Sequence, residues 1–221
     1  MNKYRHEIKY IISTSEALIL KSRLKMIMTP DINGLEGYFI RSLYFDTPDN
    51  LYYFEKMAGV EYRKKYRIRF YNMDDSYISL EKKCKDNNMT YKKQARLTKE
   101  EVSKILDGNL DISNDNPLIK EFLNIIKING LKPSVIVDYD RYALTYPISD
   151  VRITFDSNIK SGIYNYNLFD DDSIYDVCDE NTLVLEVKYN EILPEPIAII
   201  LETSVLQRTA FSKFAKCRSV K

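Results

Sequence analysis

The chain has 221 residues, 44% hydrophobic and 29% charged, which gives it enough apolar material for one large domain and excludes a disordered polypeptide. Its 33 lysines and arginines are balanced by 32 aspartates and glutamates, so a broad basic surface for nucleic acid is excluded and any cationic site has to be concentrated by the fold. Cys84, Cys178 and Cys217 form an odd set without a CxxC pair, which argues against a zinc site or a disulfide framework and fits a reducing, cytoplasmic compartment.

The N-terminal MNKYRHEIKY carries charges where a signal peptide needs an apolar run, and no apolar stretch approaches the roughly 20 residues of a membrane span. Any contact with a membrane is therefore expected through a partner. Period-two alternation predicts strands near 4–12 and 38–46, with a helix over 14–28 between them, following Ser13 as its cap. Further strands are predicted near 62–72, 77–85 and 90–97. Thr98 and Glu101 form a capping box for a short helix ending at Gly108. Asn116 as cap, Pro117 at the first helical position and Gly130 past the end bound a helix over 115–130. Strands near 134–145, 150–156 and 183–190 follow, then helices near 195–205 and 211–217. The acidic stretch DDDSIYDVCDEN, 170–181, reads as a solvated loop in preference to a metal site. One domain over 1–221 is expected, since no repeat or linker interrupts the chain.

In RKKYRIRFY, residues 63–71, Arg63, Lys65, Arg67 and Arg69 share one strand face while Tyr66, Ile68 and Phe70 share the other. Other strands repeat the division: Arg5, Glu7 and Lys9; Ser79, Glu81, Lys83 and Lys85; Tyr139 and Arg141; Arg152, Thr154 and Asp156; Glu186 and Lys188. A sheet with its charged face in water would account for any one of these strands. A sheet of about eight strands closed into a barrel would account for the shared cationic bias, because its lumen could be polar while the apolar faces pack outward beneath helices. Cations enclosed together require an opposing charge, and a linear chain of phosphates suits rungs spaced about 7 Å apart along a strand. His6 alternates away from Glu7 and Lys9 and is expected to point outward.

The ordered fragments RHEIKY, RSLYFDT, RKKYRIRFY, LEKK, KKQAR, DYDRYAL, RITFD, LEVKYN and FSKF resemble the VTC domain of polyphosphate polymerases, a branch of the triphosphate tunnel metalloenzymes. The resemblance implies an α+β fold: an antiparallel eight-stranded β-barrel, the triphosphate tunnel, with flanking helices. It also implies a divalent metal, Mn²⁺ or Mg²⁺, and transfer of the terminal phosphoryl of ATP to a growing polyphosphate chain. By matching motifs, Lys9, Arg67, Arg69, Lys83, Arg141, Arg152, Lys188 and Lys213 are the implied catalytic cations. Lys93, Ser212 and Tyr139 are implied substrate contacts, with Arg208 and Lys216 further basic candidates near the C-terminus. Glu186 is the implied metal ligand, with Glu7 as its companion.

One position departs from the hydrolytic members of that superfamily, which open with ExExK. Here the set is Arg5, Glu7 and Lys9, so a carboxylate is replaced by a cation and the expectation tilts from hydrolysis toward transfer. A tri- or polyphosphatase of the same fold and a non-catalytic module for polyphosphate or inositol phosphate remain the alternatives. Glu81 is expected to hold a cation in place, and Asp46 is read equally as a turn residue or a functional one.

Overall fold

The computed structural model describes residues 4–31, 35–87, 89–162, 166–170, 175–178, 181–202 and 206–219. Its strands, in chain order, are β1 (Arg5–Ser13), β2 (Thr29–Pro30), β3 (Tyr38–Asp46), β4 (Tyr62–Tyr71), β5 (Asp74–Asp86), β6 (Met89–Leu97), β7 (Lys132–Tyr146), β8 (Val151–Gly162), β9 (Tyr175–Asp176) and β10 (Thr182–Tyr189). The helices are α1 (Thr14–Leu24), α2 (Leu51–Met57), α3 (Lys99–Leu106), α4 (Pro117–Asn129), α5 (Glu195–Glu202) and α6 (Lys213–Arg218).

Eight of the strands form a ring in the order β7-β3-β4-β5-β6-β1-β10-β8, and pairing of β8 back onto β7 closes it. Every pairing is antiparallel. The short strands β2 and β9 are added outside the ring. At the seam that joins β1 to β6, Arg5–Thr90 and His6–Met89 are the pairs in register among the described residues.

The apolar strand faces point outward, as their alternation predicts. Leu43, Phe45, Tyr66, Ile68, Phe70, Leu80 and Leu97 pack beneath α3 and α4. Phe122 of α4 lies edge-on to Phe45 and stacks on Tyr66; burying such a side chain contributes roughly 1.5–3 kcal/mol. Ile12, Ile153, Phe155, Leu185 and Val187 form the corresponding layer beneath α1 and α5. A third cluster lies inside the ring, where Phe214 and Cys217 of α6 meet Ile40, Val135, Val137, Ile159 and Val184. Helix α6 therefore fills one end of the ring and leaves the rest of its interior to the polar side chains.

The expected capping box of Thr98 with Glu101 forms, Ser13 caps α1 and does so in a further box with Glu16, and Gly130 takes the left-handed conformation after α4. Helix α1 ends at Leu24, four residues short of the expected 28, and β7 and β8 run longer than their apolar patterns suggest. Of the acidic stretch 170–181, residues 170, 175–178 and 181 are described, with Tyr175–Asp176 paired to β8; the remainder lies outside the described residues, as do the last three positions of the helix expected over 195–205. No helix among the described residues is long and apolar enough to cross a membrane.

Candidate active site

The interior of the ring is organised around carboxylates that pair with its cations. Glu81, 1% exposed, receives Arg67 Nε at 2.7 Å and Lys92 Nζ at 2.8 Å, with Arg69 3.8 Å away. Asp156, fully buried, receives Arg141 through both carboxylate oxygens at 2.7 and 2.8 Å and Lys213 Nζ at 2.5 Å. Asp31 holds Arg152, which also donates to the Tyr38 hydroxyl at 2.7 Å. Glu7 accepts from Lys83 at 2.5 and 2.8 Å and lies 3.3 Å from Lys9, while Glu186 pairs with Lys188 at 2.7 Å. Arg69 is fixed by Ser42 Oγ and the Tyr139 hydroxyl, each at 2.8 Å, and Arg67 also donates to the Tyr44 hydroxyl at 2.6 Å.

Two adjoining cavities occupy this interior. The larger, about 480 Å³, is lined by eleven cationic side chains against Glu7, Asp31 and Glu186, so it holds a net positive charge even after its internal pairs are counted. The second, about 450 Å³, opens past Lys56, Arg63, Lys85 and Arg208. Glu7, Lys9, Lys65, Lys83, Thr90 and Ser212 border both and mark the junction.

Burial and Glu186 both oppose ionisation of Glu7, yet Lys83 and Lys9 outweigh them and keep its carboxyl below the usual range. Glu186 is likewise penalised by burial and held well below that range by Lys188 and Lys9. Burial dominates at Lys188, whose ammonium is pushed down to about 8 despite Glu186 and Glu7. The Tyr44 phenol is lowered because Arg67 and Arg69 outweigh its burial.

The structure brings Lys9, Arg67, Arg69, Lys83, Arg141, Arg152, Lys188, Lys213, Tyr139 and Ser212 to the larger cavity, together with Glu7 and Glu186. Lys93 is a correction. In the β5–β6 register it lies opposite Lys82, whose side chain leaves the ring to reach Glu121 on α4; Lys92, opposite Lys83, is the β6 lysine that enters the cavity. The parity was present in the sequence, since Ala95 and Leu97 belong to the outward apolar face and Lys93 shares it. Lys216 is also corrected, being exposed on α6, whereas Arg208 bridges to Tyr10 and borders the second cavity. His6 stacks on Tyr189, 5.0 Å between ring centroids.

Glu81 has the anchoring role expected of it. Asp46 is structural: its carboxylate receives the backbone N–H groups of Thr47, Tyr52 and Tyr53 and caps α2. Asp31, Lys92 and the anchoring role of Asp156 were missed. For Asp156 the signal was its shared face with Arg152 and Thr154, whereas Asp31 depends on a loop contact 121 residues away in sequence.

Glu81 and Asp156 are covered by their arginines, which leaves Glu7 and Glu186 as the carboxylates best placed to take a metal cation in the cavity. They stand diagonally on adjacent strands, Glu7 opposite Lys188 and Lys9 opposite Glu186. Two oxygen donors fit the chemistry of a hard divalent ion that takes its remaining ligands from outside the protein. Among the described residues no group of three or more His, Cys, Asp or Glu gathers that could hold a metal without such help.

The sequence matches the model of the VTC domain over residues 4–220. No curated protein matches it. Among solved structures, a Hippeastrum protein described as a candidate adenylyl cyclase with a dominant triphosphatase activity is similar at TM-score 0.56 and 15% identity, covering 99% of this chain and 96% of that one. A candidate adenylate cyclase from Bacillus halodurans is similar at TM-score 0.54 and 15% identity, covering 91% of this chain and 88% of that one. These similarities establish a common fold.

Proposed function

Because the chain belongs to the VTC domain family, we propose that its tunnel synthesises polyphosphate, transferring the terminal phosphoryl of ATP to a phosphate chain with the help of Mn²⁺ or Mg²⁺. The observation that carries this reading is the concentration of eleven cations in one cavity of a chain whose overall charge is only +1.

Phosphoryl transfer asks little covalent chemistry of a protein and much positioning and charge neutralisation. At about 4 Å a pair of unit charges is worth roughly 4 kcal/mol at an effective dielectric of 20, so three or four cations can offset a phosphate's loss of water. Arg67, Arg69, Arg141 and Arg152 can each grip phosphate oxygens through two donors, while Lys9, Lys83, Lys188 and Lys213 supply compact charges. Their carboxylate partners hold them in place before substrate arrives, so little reorganisation accompanies binding. Glu7 and Glu186 would hold the metal, whose charge would offset the negative charge of the phosphate being transferred.

Arg5 favours transfer over hydrolysis. It occupies the alternate position before Glu7, and its guanidinium turns to Asp150, 3.5 Å from the carboxylate, at the edge of the ring. A second acidic anchor on this strand, which could help activate water, is thereby replaced by a cation. The triphosphatase reading rests on the shared fold and predicts a different product. Incubation of purified protein with ATP and Mn²⁺ is expected to yield long polyphosphate. Orthophosphate alone would establish the hydrolase, and binding without either product would establish a non-catalytic module.

A further inference from the structure

Lys65 stands apart from the other lysines and arginines bordering the larger cavity. Lys9, Lys83, Arg67, Lys92, Arg141, Lys213, Arg152 and Lys188 each have a carboxylate within 3.3 Å, Arg5 reaches Asp150, and Arg69 has Glu81 at 3.8 Å and two hydroxyl partners. Among the described residues no carboxylate, hydroxyl or carbonyl bonds the Lys65 ammonium. It lies instead over the rings of Phe214 and Tyr44, 5.2 and 5.9 Å from their centroids. Its β5 partner across the ladder is Lys83, a like charge. The side chain is only partly exposed and borders both cavities at their junction.

We propose that Lys65 is a further contact for the phosphate chain at the junction of the two cavities, and that its charging is coupled to the arrival of the polyanion. This rests on the tunnel's being a phosphate site, as proposed above. The groups facing Lys65 explain the coupling. Lys83 of β5, Lys9 of β1 and Arg67 on its own strand repel a charge there. Glu7 attracts one more weakly, since it already serves Lys9 and Lys83, and Lys213 of α6 is occupied by Asp156. Burial and then these cations place the ammonium well below the ordinary lysine range. Solvent reaches it through the cavity, which moderates the burial component. A phosphate at the junction would reverse the field by supplying the missing anion. Lys65 would then take a proton from solvent, and chain affinity would gain from falling pH between its free and bound titration ranges.

Calorimetric titration with tripolyphosphate, without metal or nucleotide, at a series of pH values from about 6 up to the ordinary lysine value of about 10.4 and in two buffers of different ionisation heat at each, measures the protons taken up across the range in which Lys65 titrates. Wild type is expected to take up more protons per triphosphate than Lys65→Met, by up to about one, and the variant to bind about tenfold more weakly. Lys65→Arg should keep the affinity and lose the extra proton, because arginine stays charged. The ligand's own protonation cancels in these differences, and thermal melts verify folding; should Lys65→Met fail to fold, Lys65→Arg alone decides. Equal proton counts in wild type and the folded variants, or unchanged affinity in Lys65→Met, would overturn the proposal. Proton coupling in a protein that makes no polymer would sink only the polymerase reading, whereas polymer synthesis with equal proton counts would sink only this one.

Discussion

Arg141 illustrates how a single residue of the ring wall can join the proposed binding role to stability. It is 7% exposed and spends two donors on Asp156, which is wholly buried, so its truncation would strand a carboxylate in the interior. Breaking such a pair costs about 3–5 kcal/mol, and Arg141→Ala is expected near the lower end because Lys213 continues to serve Asp156. Denaturant unfolding would measure this, with an unchanged slope showing that the same transition is observed. A loss below about 0.5 kcal/mol, the range of ordinary surface substitutions, would show that the pair does not anchor the wall. At this scale the sequence disclosed which residue types share a face, as in Arg152, Thr154 and Asp156. It did not disclose which carboxylate serves which cation, because the partners of Arg67, Lys83 and Arg152 come from other strands or a distant loop.

The elements were legible where their signals are local. Thr98 with Glu101, and Asn116 with Pro117 and Gly130, bounded α3 and α4 because caps act within a few residues. Helix α2 was not read. Its LYYFEKM is aromatic, its cap residue Asn50 makes no side-chain cap, and its N-terminal amides are met by Asp46, up to seven residues earlier. The motif match placed Lys93 in the lumen where Lys92 enters it, and a one-residue step along a strand moves a side chain to the opposite face. Lys92→Ala should therefore weaken triphosphate binding about tenfold, whereas Lys93→Ala, on the outer face, should leave it within about twofold. Equal losses for the two, measured by titration of folded protein, would contradict the β5–β6 register.

For the whole molecule, the decisive feature is closure of the ring by β7 and β8, which turns a charged sheet face into an enclosed cationic interior. The apolar outer faces and the cationic bias made a barrel the better reading of the sequence, while the filling of one end by α6 could not be read from a six-residue segment that packs against strands far away in the chain. Enclosure also makes stability depend on the anion. A ligand that binds only the folded chain at a hundredfold excess over its Kd adds about 2.7 kcal/mol, or about 5–10 °C in Tm for a protein of this size. Free phosphate can engage one group of cations, pyrophosphate more, and triphosphate spans successive rungs along Arg67, Arg69 and their neighbours. An open charged sheet would respond mainly to ionic strength. The most direct measurement is thus a series of thermal melts with phosphate, pyrophosphate and triphosphate at matched ionic strength. The tunnel predicts a Tm that rises with each added phosphate, and a Tm independent of chain length would contradict it.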